Sequence, residues 1–502
     1  MFFNKTVKLG FLMEATQLKI HWYDYITINN IWFSFAIRSQ VMTPLVLPLL
    51  IEQYVGDEAK GAYYGGLRLW GLMVALLAQS VMGVLSDHFP GRWGRRRVFI
   101  TAGMIGEILA LFAFLGILDM HTMGGFWLLF LIYFLSSVSA NTAQAGANGL
   151  IPDLIPDAYK SKFAAVKSLF DLPLSLIFFS FIISRVVISG NLSGAILILM
   201  VVNGACLLLT LFVPEKPAVG SEKISWHPIL RLGLMVAVFT TIILVMGMLV
   251  RWLVNFLPRD QSPGSLLAAG VILLLGMGLA ILMSVGSGVR ISLGKEGLKD
   301  LAFARWLTNR LAFFTGTSNL GSFLVFFLQS KFTQMKGIQA AQPVTSLVMI
   351  TGVSILLATL PSGWLCDRFG KKKVIIAAAL FVAAGAGIMV SANTLEIIAA
   401  GGVLIGSGTG LFYTASWAMG TTIVPKDQAG TYLGLATIAG AGAGAIGAFM
   451  GGPVGDQFGY SLLMMVYGAV VLFSGLAFIQ TDWEFRAVWA KKDKKNILDG
   501  VE

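Results

Sequence analysis

The sequence predicts an all-α membrane protein, and three observations predict it. Composition comes first: of 502 residues, 56% are hydrophobic and only 12% charged, with a mean hydropathy of +0.80, whereas soluble domains run near roughly half and a quarter. Second, the apolar runs continue unbroken for about twenty residues, enough at about 1.5 Å per residue to cross a hydrocarbon layer of about 30 Å. Strands of an outer-membrane barrel would alternate over about ten. Third, the 36 basic and 25 acidic residues, net +11, are sorted by side. That sorting is a membrane-topology signal.

Taken in order, six runs occupy about 28–54, 63–85, 97–118, 126–150, 161–187 and 193–213, each bounded by charge or by Gly and Pro clusters. A polar stretch from Pro214 to Arg231 follows. Two more runs, 232–255 and 265–286, are split by Pro258-Arg259-Asp260-Gln261-Ser262-Pro263. Six further runs lie at 304–330, 344–365, 373–393, 397–420, 429–453 and 460–481. The total is fourteen transmembrane helices, organised as an N-terminal six-helix unit (1–213), a central segment with an inserted hairpin (214–303) and a C-terminal six-helix unit with a tail (304–502).

With the N-terminus inside, six bases fall outside (Lys60, Arg185, Arg251, Arg259, Lys331, Lys336), three lie within runs (Arg38, Arg68, Arg310) and all others are cytoplasmic. The net charge is therefore read as topology, with no nucleic-acid partner. Residues 1–27 carry Lys5, Lys8, Glu14, Lys19 and Asp24 without a continuous apolar core, which predicts no cleaved signal and both termini in the cytoplasm. Cys206 and Cys366 are not expected to form a disulfide or a zinc site. No Walker loop, serine-hydrolase elbow or HExxH occurs, so ATP use, enzymatic hydrolysis, a metal and a cofactor are not expected.

The loop after the second run reads Gly83-Val-Leu-Ser-Asp87, then a turn, then Gly94-Arg95-Arg96-Arg97. The loop after the tenth reads Gly363-Trp-Leu-Cys-Asp367-Arg368-Phe-Gly370-Lys371-Lys372-Lys373. Each places an acid before, and three bases after, a tight inter-helix turn, so an ion pair can hold two helix ends in one state and part in another. Leu154-Ile155-Pro156-Asp157 and Ile423-Val424-Pro425-Lys426 match as well. Two halves repeat in parallel, the architecture of a rocking transporter.

On these residues the chain resembles the major facilitator superfamily, whose signature loop follows this pattern at both positions. The resemblance implies that superfamily's fold: two six-helix bundles, here with a two-helix insertion. The longer first loop, Ser86-Asp87 to Arg92-Trp-Gly-Arg-Arg-Arg97, is similar to that of the sucrose and glycoside:cation symporter branch and its bacterial relatives. Fourteen spans are also familiar from drug:proton antiporters and from peptide transporters with an inserted hairpin.

Charges inside hydrocarbon cost several kcal/mol unless paired or hydrated, so they mark candidate sites. Five occur: Arg38, Arg68, Glu107, Asp171 and Arg310. Asp171 and Glu107, each about ten residues into its run, are the coupling-ion candidates, Asp171 first because Pro173 is expected to bend its helix. The alternative is that both are structural charges at packing faces. Arg38 and Arg310 are substrate candidates; Arg68 is read as snorkelling. Asn141, Gln144 and Asn148 share one helical face and are candidate hydroxyl ligands or helix-contact amides. Asn319, Tyr413 and Trp417 complete the candidate substrate set, offering hydrogen bonds beside an aromatic face.

The expected function is alternating-access secondary transport in the cell membrane, with a sugar or glycoside moved by symport with a proton, or with sodium. Proton-coupled export of amphipathic compounds is one alternative, and a non-transporting membrane assembly factor another. The expected partners are the small-molecule substrate, the coupling ion and membrane lipid, with the protein a monomer.

Overall fold

The computed structural model describes residues 20–91, 93–215, 226–297, 299–332, 334–424, 429–476 and 478. The Lys491–Lys495 tail and the Pro425-Lys426 half of the second repeat pair lie outside them. Among the described residues the protein is all-helical, with no strand.

Among the described residues, each of the fourteen expected runs falls largely on helix. A turn at Asp24–Thr27 leads into α1 (Asn30–Val41), a π-turn at Met42–Val46 and α2 (Leu47–Val55), which together make the first span. The π-turn coincides with Pro44, which supplies no N–H to the ladder. Then come α3 (Lys60–His88), α4 (Arg95–Leu115) and α5 (Met123–Leu154). The fifth span is built from α6 (Asp157–Asp171), α7 (Pro173–Phe178), a π-turn at Phe179–Ile183 and α8 (Ser184–Ile188), and α9 (Leu192–Thr210) closes the first half. The inserted pair is α10 (Trp226–Val254) and α11 (Pro263–Gly297). The second half has α12 (Leu301–Ser322), α13 (Leu324–Lys331), α14 (Ala341–Phe369), α15 (Lys371–Ser391), α16 (Leu395–Ile423), α17 (Ala429–Phe458) and α18 (Tyr460–Leu476).

Among the described residues twelve spans are long and apolar enough to cross a membrane, thirteen if α12 and α13, bent by 55°, count as one. The remaining expected run is α18, an apolar helix of 17 residues. The protein is a multi-pass membrane protein.

The two signature loops fold alike. Gly94 (φ 93°, ψ 152°) and Gly370 (φ 88°, ψ 140°) both precede the first residue of the following helix, in a conformation that a side chain would strain. In the first copy Arg96 pairs with Asp87 and donates from Nε to Asp153 at 2.8 Å. Arg95 reaches the same Asp153 oxygen at 2.8 Å. The Glu215 carboxylate accepts the backbone N–H groups of Arg96 and Arg97, both at 2.8 Å, which satisfies orphan donors at the start of α4. The expected ion pair is thus formed in this copy. In the second, Lys371 instead donates to Ala418 O and the Thr422 hydroxyl on α16, while Arg368 lies over Trp364 at 5.1 Å.

The halves meet at the end of the bundle opposite these loops. Along α3 and α17, Gly61 faces Gly452, Gly65 faces Ala448, and Arg68 and Leu72 face Gly444. A Cβ on Gly61 would lie 2.6 Å from Gly452 O and one on Gly452 would collide with Gly61 O, so only glycine permits this approach. Leu176 on α7 fills the space above Gly352 on α14. The inserted pair leans on this seam. α10 packs on α3 and α17, and α11 on α17, α12 and α18.

Candidate functional site

Arg38, Glu107 and Ser136 come together from α1, α4 and α5. Arg38 Nε donates to Glu107 Oε1, and Arg38 Nη2 lies 2.6 Å from Ser136 Oγ. The Ser136 hydroxyl is 2.9 Å from Glu107 Oε2. Glu107 is buried, so its charge is compensated by a guanidinium and a hydroxyl rather than by water. Two of the five expected intramembrane charges are therefore partners in one ion pair.

Asp171 stands differently. It is the last residue of α6; Leu172 then leaves helical geometry (φ −125°, ψ −67°) and Pro173 restarts the helix as α7. Pro173 accounts for the break, because it cannot donate to the preceding turn and disfavours helical geometry at Leu172. The Asp171 side chain is exposed. One turn earlier on the same helix is Lys167, whose Nζ sits 3.6 Å from the Trp32 ring centroid. Asp171 lies within electrostatic reach of Lys167 and of Tyr413 in the opposite half. Lys167 belonged to the run at 161–187 but sits only six residues into it, so it sorted with the cytoplasmic bases.

On the other half, Arg310 of α12 is buried and enclosed by rings. Its guanidinium lies 4.9 Å from Phe314, 4.9 Å from Trp417 and 5.8 Å from Trp306. Nη1 donates to Ser416 Oγ at 3.2 Å, whereas Nε has no partner among the described residues. No carboxylate among those residues is within ion-pair distance of it. Cation–π contacts of this kind contribute about 0.5–2 kcal/mol each and partly offset desolvation. Tyr413 and Trp417, both half-exposed on α16, flank the group. Phe314 and Tyr413 also line a cavity of about 230 Å³ whose wall carries Thr317, Ser318, Thr351 and Thr409. Trp306 Nε1 donates to Ser416 O at 3.0 Å, fixing the backbone that presents Trp417.

The remaining candidates are placed as follows. Asn141 and Gln144 are half-buried and Asn148 is exposed; the Asn141 amide donates to Ser137 O of its own helix. Asn319 is fully buried, donates to Thr315 O and packs against Gly447 of α17. Arg68 departs from the snorkelling expectation. It is buried, with Nη1 3.4 Å from Thr43 Oγ1, because α17 covers it through Gly444.

Sequence reasoning missed a polar cluster at the end opposite the signature loops. Lys60 Nζ bonds Glu52 at 3.0 Å, Asp57 at 2.8 Å and Gln329 at 3.0 Å, and Gln329 Nε2 donates to Glu52 Oε2 at 2.6 Å. Asp456 of α17 accepts the backbone N–H groups of Gly61 and Ala62, both at 2.8 Å, and the Tyr460 hydroxyl at 2.6 Å. It is a helix cap supplied by the opposite half. Asp456 lies three residues past the end of the expected run 429–453, and Lys60 falls in the loop before the run at 63–85. The signal available was that Glu52 and Lys60, an acid and a base, sit at the facing ends of the first two spans.

The halves of the bundle thus meet at one end, and Asp171, Tyr413 and Trp417 are exposed nearer the other. Residues 306–484 match the Major Facilitator Superfamily. Solute carrier family 45 member 3 of Macaca fascicularis is 34% identical over 85 residues, which is 17% of this chain and only 15% of that protein's length. Among solved structures, a mutant of the nucleoside transporter NupG superposes with a TM-score of 0.63 at 14% identity, over 91% of this chain and 99% of that one. A POT family transporter in complex with 5-aminolevulinic acid gives 0.61 at 14%, over 92% and 96%. The human organic anion transporter MFSD10 gives 0.52 at 15%, over 91% and 98%. At such identities the likeness is one of fold, and the fold is that of the major facilitator superfamily. The family match and the fold together support a secondary transporter of that type rather than an enzyme.

Proposed function

We propose that the protein moves a sugar or glycoside together with a proton by alternating access between its two halves, residues 1–213 and 304–502. The signature loops and both termini are taken as cytoplasmic, so the conformation described opens inward. One observation carries the reading: Asp171, a carboxylate at a helix break, is exposed between the halves within electrostatic reach of Tyr413, beside the aromatic box of Arg310. A carboxylate in such a place binds a proton when its basic neighbours withdraw and releases it when they return. Lys167 on its own helix and Arg310 on the opposite half are the two bases between which rocking would choose. Rings at Trp417 and Phe314 suit the apolar face of a pyranose, and Thr317, Ser318 and Tyr413 its hydroxyls. The cavity beside them, about 230 Å³, lies below the ~300–1,000 Å³ of drug-sized sites and favours a small cargo. Its walls are largely apolar, with Leu324, Leu347 and Ile405 among them, which is the observation on the side of amphipathic export.

The test is uptake of labelled mono- and disaccharides into proteoliposomes under an imposed proton gradient. Accumulation is expected in the unmodified protein. Asp171→Asn should abolish gradient-driven accumulation while leaving sugar exchange across the membrane. If no sugar accumulates but expression confers resistance to amphipathic compounds, export replaces symport.

A further inference from the structure

The inserted pair creates a groove that neither half would have alone. Leu275, Leu279 and Leu282 of α11 face Phe473 of α18 across a cavity of about 540 Å³, floored by Thr308 and Asn309 of α12. The leucines and Phe473 are more than half exposed. In a membrane-spanning chain these side chains sit at the depth of acyl chains. The groove is not apolar throughout. Arg305, in the first turns of α12, lines its end nearest the signature loops. Arg290 follows Leu279 by eleven residues on α11, three turns along the same face, and is exposed toward that end too. An apolar trough of about three turns thus runs into two guanidinium-bearing positions at a single membrane surface.

We propose that this groove binds one anionic phospholipid of the leaflet on the signature-loop side, an acyl chain lying along Leu275, Leu279 and Leu282 and the headgroup phosphate meeting Arg290 and Arg305. Charge complementarity selects the occupant: a zwitterionic lipid carries its own cation beside the phosphate, whereas an anionic one leaves the phosphate for arginine. The bound lipid wedges the inserted pair against α12 and α18. That gives the insertion a function independent of the cargo, and the inference does not depend on the sugar reading.

Purified full-length protein, stripped of lipid in detergent, is titrated with dioleoylphosphatidylglycerol or dioleoylphosphatidylcholine and followed by native mass spectrometry. One phosphatidylglycerol per chain is expected at concentrations at least tenfold below those needed for phosphatidylcholine. Arg290→Gln with Arg305→Gln should remove that preference. Leu279→Trp, at an exposed position, should fill the trough and weaken both lipids about tenfold while leaving the lipid-free melting temperature unchanged. Glycerol phosphate, the headgroup without its chains, should not compete. Equal binding of the two lipids, an arginine double variant that keeps the preference, a Leu279→Trp protein that binds as before, or effective competition by glycerol phosphate overturns the proposal.

Discussion

Glu107 and Asp171 are both acids about midway along their spans, yet their surroundings assign them different work. Glu107 is buried against Arg38 and Ser136. Removing one partner of such a pair strands the other charge, which costs about 3–5 kcal/mol. Glu107→Gln is therefore expected to lower the melting temperature in detergent sharply, whereas Asp171→Asn, at an exposed side chain, should melt within a degree or two of the unmodified protein. An equal loss of stability in both variants would contradict the assignment. The sequence showed that both were charges in apolar runs, because hydropathy and spacing are one-dimensional. It did not show that Arg38, sixty-nine residues before Glu107, was the partner. Nor did it show Ser136, since a serine in a span carries no signal until the neighbouring helix is in place. Arg68 makes the same point in reverse. Its distance from the end of α3 read as snorkelling, and only the packing of α17 over it reveals a buried guanidinium.

At the scale of elements, the clearest sequence signals were those in which backbone chemistry acts locally. Pro173 breaks the fifth span where expected. Gly94 and Gly370 take the same left-handed conformation in both signature loops. The ion pairing across those loops differs because Asp153 and Glu215 serve only the first copy. Neither acid lies within the motif itself. The seam between α3 and α17 is legible in outline, because Gly440, Gly444, Gly447, Gly451 and Gly455 place small residues at helical spacing on α17. The partner glycines, Gly61 and Gly65, stand four residues apart at the start of α3, with Gly61 just before the expected run at 63–85. Gly452→Leu is expected to push α3 and α17 apart and shift the protein toward conformations open at the end opposite the signature loops. An overpacking penalty of about 1–3 kcal/mol falling on one conformation alone corresponds to a shift of roughly 5- to 150-fold. Spin labels on α3 and α17 near that end would report it as a longer distance; an unchanged distance distribution would show that the seam tolerates the side chain.

For the whole molecule, the described conformation is held at one end by bonds that exist only while the halves touch. Asp456 caps α3 from the opposite half, and Gln329 joins the Glu52 and Lys60 pair from α13. Parting the halves leaves the first N–H groups of α3 and the Asp456 carboxylate to find water instead. Asp456→Asn places an amide that can turn its own N–H groups toward those of Gly61 and Ala62, so it should favour opening at this end. Gln329→Ala should add to it, since the two contacts lie on different helices of the second half. The pH response of this cluster follows from Asp57, in the loop before α3. The hydrogen bond from Lys60 holds the Asp57 carboxyl below its ordinary value. A depressed acid contributes above its unfolded value and loses the contribution only as pH falls through the lower, folded one. The Asp57 contact to Lys60 should therefore persist undiminished from pH 7 to pH 5. If distances measured across this end by electron resonance lengthen in Asp456→Asn but are unchanged in Asp57→Asn at pH 7 and pH 5, closure belongs to the contacts between halves. If Asp57→Asn opens the end as far as Asp456→Asn does, the loop within the first half controls it.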